Sequence, residues 1–339
     1  MAQKPRAIFE EVGGTERQPA VTPGVIGQAG AGARGAVRVW LMLLFALVVV
    51  MIAVGGMTRL TDSGLSITEW APVMGAMPPL SAEDWDAAFA AYQTTSEFQL
   101  QNSQMTMAEF KVIYWWEWGH RQLGRFIGLV WALGFLALLV TRSIPRGWTG
   151  RLLLLGALGG LQGAIGWWMV ASGLEEGMLD VASYRLATHL GLAFIILGVI
   201  AWFTFRLARS EADLLTARRA GAPGLFTGGT ELMTLAFLQI VLGALVAGID
   251  AGRAFPTWPD MGGGFLPPDM FALEPAWRNL FENAGTVQWV HRMVGYALLA
   301  LAIGVWVFAR RTANAATRFA FNAVLAVLVL QVVIGIVTA

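Results

Sequence analysis

The chain has 339 residues, 56% of them hydrophobic and only 13% charged, whereas an ordinary soluble domain carries about 25% charged residues. Its 23 basic and 22 acidic side chains nearly cancel, so the net charge says little about partners and their distribution along the chain is what informs; no basic nucleic-acid patch is read in it. The absence of cysteine excludes disulfides, thiolate metal sites and Cys nucleophiles, and leaves the three histidines as the obvious soft ligands.

Residues 1–36 carry charge, Gly and Pro without the apolar core of a cleavable signal, and read as a disordered cytoplasmic tail. Apolar segments follow at about 37–57, 118–140, 151–171, 186–206, 231–250, 287–309 and 318–339, each long enough to cross a hydrocarbon core of about 30 Å. The fold class is therefore an all-α polytopic membrane protein. Lys and Arg dominate the tail and the connections at 141–151, 206–230 and 310–318, while acidic residues dominate 58–117, 172–185 and 251–286. The basic set is expected in the cytoplasm, which places the N-terminus inside. Trp115, Trp116, Trp118, Trp167, Trp168 and Trp289 then fall at outer helix ends and Trp40, Trp202 and Trp306 at inner ends, as aromatic belts do. The outer connection 58–117 is long, and its stretch from Ser81 to Tyr92 has helical spacing, which suggests an ordered lid.

Self-similarity organises the rest. Trp118-Gly119-His120-Arg121 returns as Trp289-Val290-His291-Arg292, Leu161-Gln162 with Gly166 returns as Leu330-Gln331 with Gly335, and Ser63-Gly64 with Trp70 returns as Ala251-Gly252 with Trp258. The reading is two pseudo-symmetric four-helix bundles in tandem. The N-terminal bundle spans 37–206, a cytoplasmic linker 207–230, and the C-terminal bundle 231–339. Seven transmembrane helices lie in this chain and eight are expected, because the counterpart of His189 would fall near position 360, beyond Ala339.

Each histidine opens an outside-to-inside helix. From His120 to Arg142, His189 to Arg206 and His291 to Arg310 there are 22, 17 and 19 residues, or about 26–33 Å at 1.5 Å per residue. All three lie near the outer edge of the hydrocarbon, and His120 and His189 are placed to face each other at equal height, a geometry suited to two axial ligands on one haem iron. Interfacial histidines bonded to neighbouring helices are the bland alternative, and zinc would want more ligands in one cluster. Arg121, Arg125, Arg185 and Arg292 sit beside the histidines, where they could pair with haem propionates or snorkel to lipid phosphates. Glu117 shares a helix face with His120 one turn away and is a candidate general base or charge stabiliser. The equivalent position in the second unit holds Gln288.

The run Glu109-Phe110-Lys111-Val112-Ile113-Tyr114-Trp115-Trp116-Glu117-Trp118-Gly119-His120-Arg121, with Gly55-Gly56-Met57-Thr58-Arg59-Leu60-Thr61 and Thr68-Glu69-Trp70, closely resembles the haem A synthase family of the proteobacterial and mitochondrial type. The resemblance covers residue 37 to the end. It implies an oxidoreductase of the bacterial inner membrane that converts haem O to haem A, by oxidising a porphyrin methyl group to a formyl group, for terminal oxidases. It further implies that the first bundle binds substrate haem at His120 and His189 with Glu117 beside it, and that the second holds a haem b through His291 and a histidine on the eighth helix. Water is the expected oxygen source. Haem O synthase, oxidase assembly factors, membrane lipid and a second copy of the chain are the partners considered. The alternative is a bis-histidine diheme electron-transfer protein of the cytochrome b kind, which would need the histidines but not Glu117.

Overall fold

In the computed structural model the described residues are 25–219, 221–312 and 314–338. Among them every regular element is helical, and seven helices are long and apolar enough to cross a bilayer. This is a multi-pass membrane protein. The first 24 residues of the expected tail lie outside the description, but from Val25 the chain is already helical, so the expectation of disorder to residue 36 does not hold for its last part. The Gly- and Ala-containing run there continues without a breaker into the apolar stretch Gly32–Leu60.

Helix α1 (Val25–Leu60) is followed by a lid made of α2 (Ala82–Gln93) and α3 (Ser96–Leu100). The stretch read as helical from Ser81 is α2, with Ser81 and Asp84 forming a reciprocal capping box. Thr106 and Glu109 make a second capping box that starts α4 (Met107–Val140) 11 residues before the sequence-based boundary at 118. That early start has a packing cause. Phe110, Ile113 and Tyr114 on the first turns of α4 bury against Tyr92, Trp85 and Phe89 of α2, with the Tyr92 and Phe110 rings stacked at 5.4 Å.

Helices α5 (Thr149–Gly173) and α6 (Ser183–Leu207) follow, and a short α7 (Glu211–Arg219) leads into α8 (Pro223–Gly248). Pro223 stands in the first turn of α8, where its missing N–H costs nothing. A long connection with α9 (Ala251–Ala254) and α10 (Asn279–Glu282) precedes α11 (Ala284–Ala309) and α12 (Ala315–Val337).

Helices α1 and α5 each touch both α4 and α6, so α4 and α6 stand on a diagonal of a four-helix ring. Helix α8 packs on α6 and α11, and α12 packs on α11. Leu41, Leu44, Val48, Leu138, Leu152, Leu155, Ile196 and Phe203 fill the first ring at the end away from the lid. Close approach there depends on small residues. A Cβ on Gly134 would overlap the Trp40 indole and one on Gly156 the Trp131 indole, and both indoles donate across the gap, to Val130 O and Leu152 O at 3.1 Å each. Outward-facing Leu129, Leu133, Leu136, Phe205 and Val327 are exposed, as lipid-facing side chains are.

Candidate haem-ligand site

His120 on α4 and His189 on α6 occupy the two diagonal helices, and both rings are half-buried. Each lies against a glycine of a neighbouring helix. A Cβ on Gly55 of α1 would sit 3.1 Å from His120 Nε2, and a Cβ on Gly166 of α5 would sit 2.8 Å from His189 Cε1. Gly243 of α8 backs His291 of α11 in the same way at 3.2 Å. The glycines thus open three cradles in which an imidazole reaches helix backbone.

Two glutamines share these cradles. Gln162 Nε2 lies 3.2 Å from His189 Nδ1 and donates to His189 O at 3.0 Å. Gln239 Nε2 lies 3.2 Å from His291 Nδ1 and 3.1 Å from its Nε2. The Oε1 atoms of both are buried without a hydrogen-bond partner among the described residues. Orphaned acceptors beside imidazoles, in cradles that a methyl group would fill, fit histidines prepared to give one nitrogen to a metal. Among the described residues no group of three His, Asp or Glu side chains is arranged to hold a metal ion by itself, and the paired imidazoles are a donor set that fits haem iron better than a protein-only zinc cage.

Glu117 is buried, and its carboxylate is fully engaged. Oε2 accepts from Ser66 Oγ and Ile67 N at 2.7 Å each, while Oε1 accepts from Arg121 Nη2 at 2.6 Å and Nε at 3.0 Å. Arg121 continues to Ile67 O at 2.8 Å and Glu69 O at 3.0 Å. The pair therefore clamps the segment Ser66–Glu69 onto α4. Gln288 and Arg292 repeat the arrangement on α11. Gln288 Nε2 donates to Phe255 O at 3.1 Å, and Arg292 donates to Phe255 O, Thr257 O and Asp260 O at 2.9, 2.8 and 3.2 Å. Glutamate meets backbone N–H in one half and glutamine meets backbone C=O in the other, so each residue type suits its loop.

The remaining arginines also bind backbone carbonyls, Arg125 of a loop and Arg185 of α5. Arg125 donates to Ala71 O and Pro72 O at 3.0 and 2.9 Å, and Arg185 donates to Trp168 O at 2.8 Å with its guanidinium over the Trp168 ring. Arg125 Nη1 and Arg185 Nε remain buried without a partner among the described residues, and keep donor capacity for an anion. Arg121 and Arg292 are committed to protein acceptors.

Sequence reasoning missed Gln162 and Gln239 as histidine neighbours, although Gln162 stood in a repeated segment and each precedes a cradle glycine by four residues. It also missed Arg59. This side chain pairs with Asp62 at 2.8 Å, Asp180 at 3.2 Å and Asp250 at 3.5 Å, and donates to Ala247 O at 3.0 Å, joining the ends of α1 and α8. Asp62 and Asp250 both adopt left-handed backbone, with φ of 48° and 50°, a conformation that aspartate tolerates better than most residues.

The family model described as cytochrome oxidase assembly protein (COX15-CtaA) matches residues 38–339. The chain belongs to this family. It is 67% identical to a protein named heme A synthase from Dinoroseobacter shibae, over 99% of this chain and 88% of that relative. Heme A synthases of a Ruegeria species and of Cereibacter sphaeroides are 64% and 60% identical, over 98% and 100% of this chain and 88% and 89% of theirs. No solved structure matches the chain at a significant level. Within the family's matched span lie all three histidines, Glu117 and the four arginines.

Proposed function

We propose that this protein is a haem A synthase of the inner membrane, which oxidises the methyl group of haem O to a formyl group and so provides haem A for cytochrome oxidase. The observation that carries the reading is the pair His120 and His189, set on diagonal helices and each backed by a glycine, in a chain 67% identical to a protein named heme A synthase. The two units are copies of one four-helix plan. The histidines stand at the periplasmic side and the N-terminus in the cytoplasm, in keeping with the charge distribution.

Haem O is a flat, apolar substrate with two carboxylates. A site between membrane helices admits it laterally, while the lid-end arginines meet its charged edge. Arg125 Nη1 and Arg185 Nε are the donors left for the propionates. The conversion balances as methyl plus one water giving formyl, four protons and four electrons, the electrons passing to an oxidant. His120 and His189 would together hold the haem iron and would leave it no open position for oxygen, and water is the oxygen source we assign.

Glu117 acts in this reading as a fixed negative charge and not as a mobile base. All of its hydrogen-bond partners donate to it, which holds the carboxylate in place. It holds Arg121 and the Ser66–Glu69 segment above His120, and its charge favours the positive character that develops at the substrate carbon. His291, next to Arg292, which grips the loop above it, is the residue that would hold a haem b in the second unit. When bound, such a group supplies a one-electron couple.

The test is expression in membranes that contain haem O, followed by haem extraction, reverse-phase separation and mass analysis. Haem A or its hydroxymethyl precursor is expected, and neither is expected from His120→Ala or His189→Ala. Unchanged haem O and haem b from a folded wild-type protein would favour electron transfer instead.

A further inference from the structure

Three helices present a glycine to a histidine, and the residue four places before that glycine divides the sites. It is Gln239 before Gly243 on α8, Gln162 before Gly166 on α5, and Met51 before Gly55 on α1. Met51 and Gln239 hold equivalent places. A Cβ on Gly124, four residues after His120, would meet Met51 Cε at 3.3 Å, and a Cβ on Gly295, four residues after His291, would meet Gln239 Nε2 at 3.2 Å.

A neutral imidazole that gives one nitrogen to iron carries its proton on the other, and that buried N–H needs an acceptor. Gln239 Oε1 is buried and unpartnered among the described residues, a fraction of a turn from the ring its amide nitrogen already touches at 3.1–3.2 Å. Rotating the carboxamide about its last torsion presents the oxygen to the ring with the rest of the side chain in place. Gln162 has the same orphaned oxygen, but the rotation forfeits its 3.0 Å bond to His189 O, so its hold is weaker. Met51 offers only a thioether, a weak acceptor.

We propose that Gln239 and Gln162 are positioning residues that accept the ring N–H of His291 and His189 when the opposite nitrogen is given to haem iron, and that Met51 leaves His120 without such an anchor. Ligand strength then falls in the order His291, His189, His120. This rests on the haem-binding reading and deepens it. The substrate site pairs one anchored with one unanchored ligand, which suits a haem that must leave as product. The second unit's histidine has the firmer anchor, which suits a haem that stays.

The test uses the full chain in detergent, loaded with iron protoporphyrin IX. A His120→Ala background isolates the His291 site, and a His291→Ala background isolates the first unit. In the first background Gln239→Leu is expected to raise the midpoint potential and to speed haem transfer to apomyoglobin about tenfold to a hundredfold, because the electron donation that the hydrogen bond lends to imidazole is lost. Gln239→Glu keeps an acceptor and is expected to lower the potential below wild type. In the second background Gln162→Leu is expected to shift the potential the same way by less, and Met51→Gln to slow haem transfer. Equal potentials in wild type, Gln239→Leu and Gln239→Glu would overturn the proposal, since a residue that only fills space does not order them. Haem content untouched by both His120→Ala and His291→Ala would overturn the haem-site reading itself, before any glutamine variant is compared.

Discussion

Glu117 and Arg121 meet one helical turn apart on α4, Oε1 to Nη2 at 2.6 Å, and between them take hold of backbone donors at Ile67 and backbone acceptors at Ile67 and Glu69. The segment they hold descends from α1, so the carboxylate ties the lid end of one helix to the histidine-bearing turn of another. Its side chain is 3% exposed and its partner's 18%, so water does little to screen the pair.

Glu117→Gln is expected to destabilise the protein by roughly 2–4 kcal/mol, because one buried partner of an ion pair is neutralised and a second donor is pointed at Ile67 N–H. The melting temperature in detergent should fall, and turnover with it. Glu117→Gln with wild-type melting and full haem A formation would contradict both the clamp and the fixed charge.

Gly166→Ala is expected to abolish haem retention in the first unit, since its Cβ would lie 2.8 Å from His189 Cε1. Gly55→Ala should weaken retention less, at 3.1 Å from His120 Nε2. Gly56, with nothing within 4 Å of its added Cβ, is the control. Its change to Ala should keep haem content and gain up to about 1 kcal/mol of helix propensity. Soret absorbance per protein reads all three.

Glu97 gives a pH dependence with a definite sign. It is buried on α3 beside Tyr92 and Asn102, and burial, with Asp180, Asp62 and Glu117 nearby, raises its carboxyl from 4.5 to about 8. Between those values the folded protein keeps a proton that the unfolded chain has released. The stability this contributes is therefore complete below 4.5 and declines as pH rises towards 8. Glu97→Gln, which stays neutral, should show a flatter dependence of melting temperature on pH over that window. A variant as steep as wild type would remove Glu97 from the account.

Much of this was legible in the sequence because membrane helices must satisfy their backbone internally and so announce themselves by length and hydropathy. The seven spans and the helical stretch at Ser81 come from patterns that one chain carries in full. Helix ends were less legible. Helix α4 starts at Met107 because a capping box and the Tyr92–Phe110 contact extend it beyond the apolar stretch, and hydropathy does not register either cause. The partners of Arg121, Arg125, Arg185 and Arg292 were hidden for another reason. Most are backbone carbonyls, of loops for Arg121, Arg125 and Arg292 and of the C-terminal part of α5 for Arg185, and these have no side-chain signature.

Gly134→Ala is expected to cost about 1–3 kcal/mol, since its Cβ would overlap the Trp40 indole and break the 3.1 Å bond to Val130 O. Trp40→Phe combined with Gly134→Ala should recover part of the loss. Melting in detergent compares them, and a neutral Gly134→Ala would show that α1 and α4 do not pack as closely as described.

The most direct measurement supplies purified protein with haem O and an oxidant in water labelled with oxygen-18, and weighs the extracted haem. A formyl-bearing product that carries the label, formed by wild type and absent with His120→Ala, is the expected result. Haem O recovered unchanged from a folded protein that binds it would contradict the synthase reading, and an unlabelled formyl oxygen under conditions that block exchange would contradict water as its source.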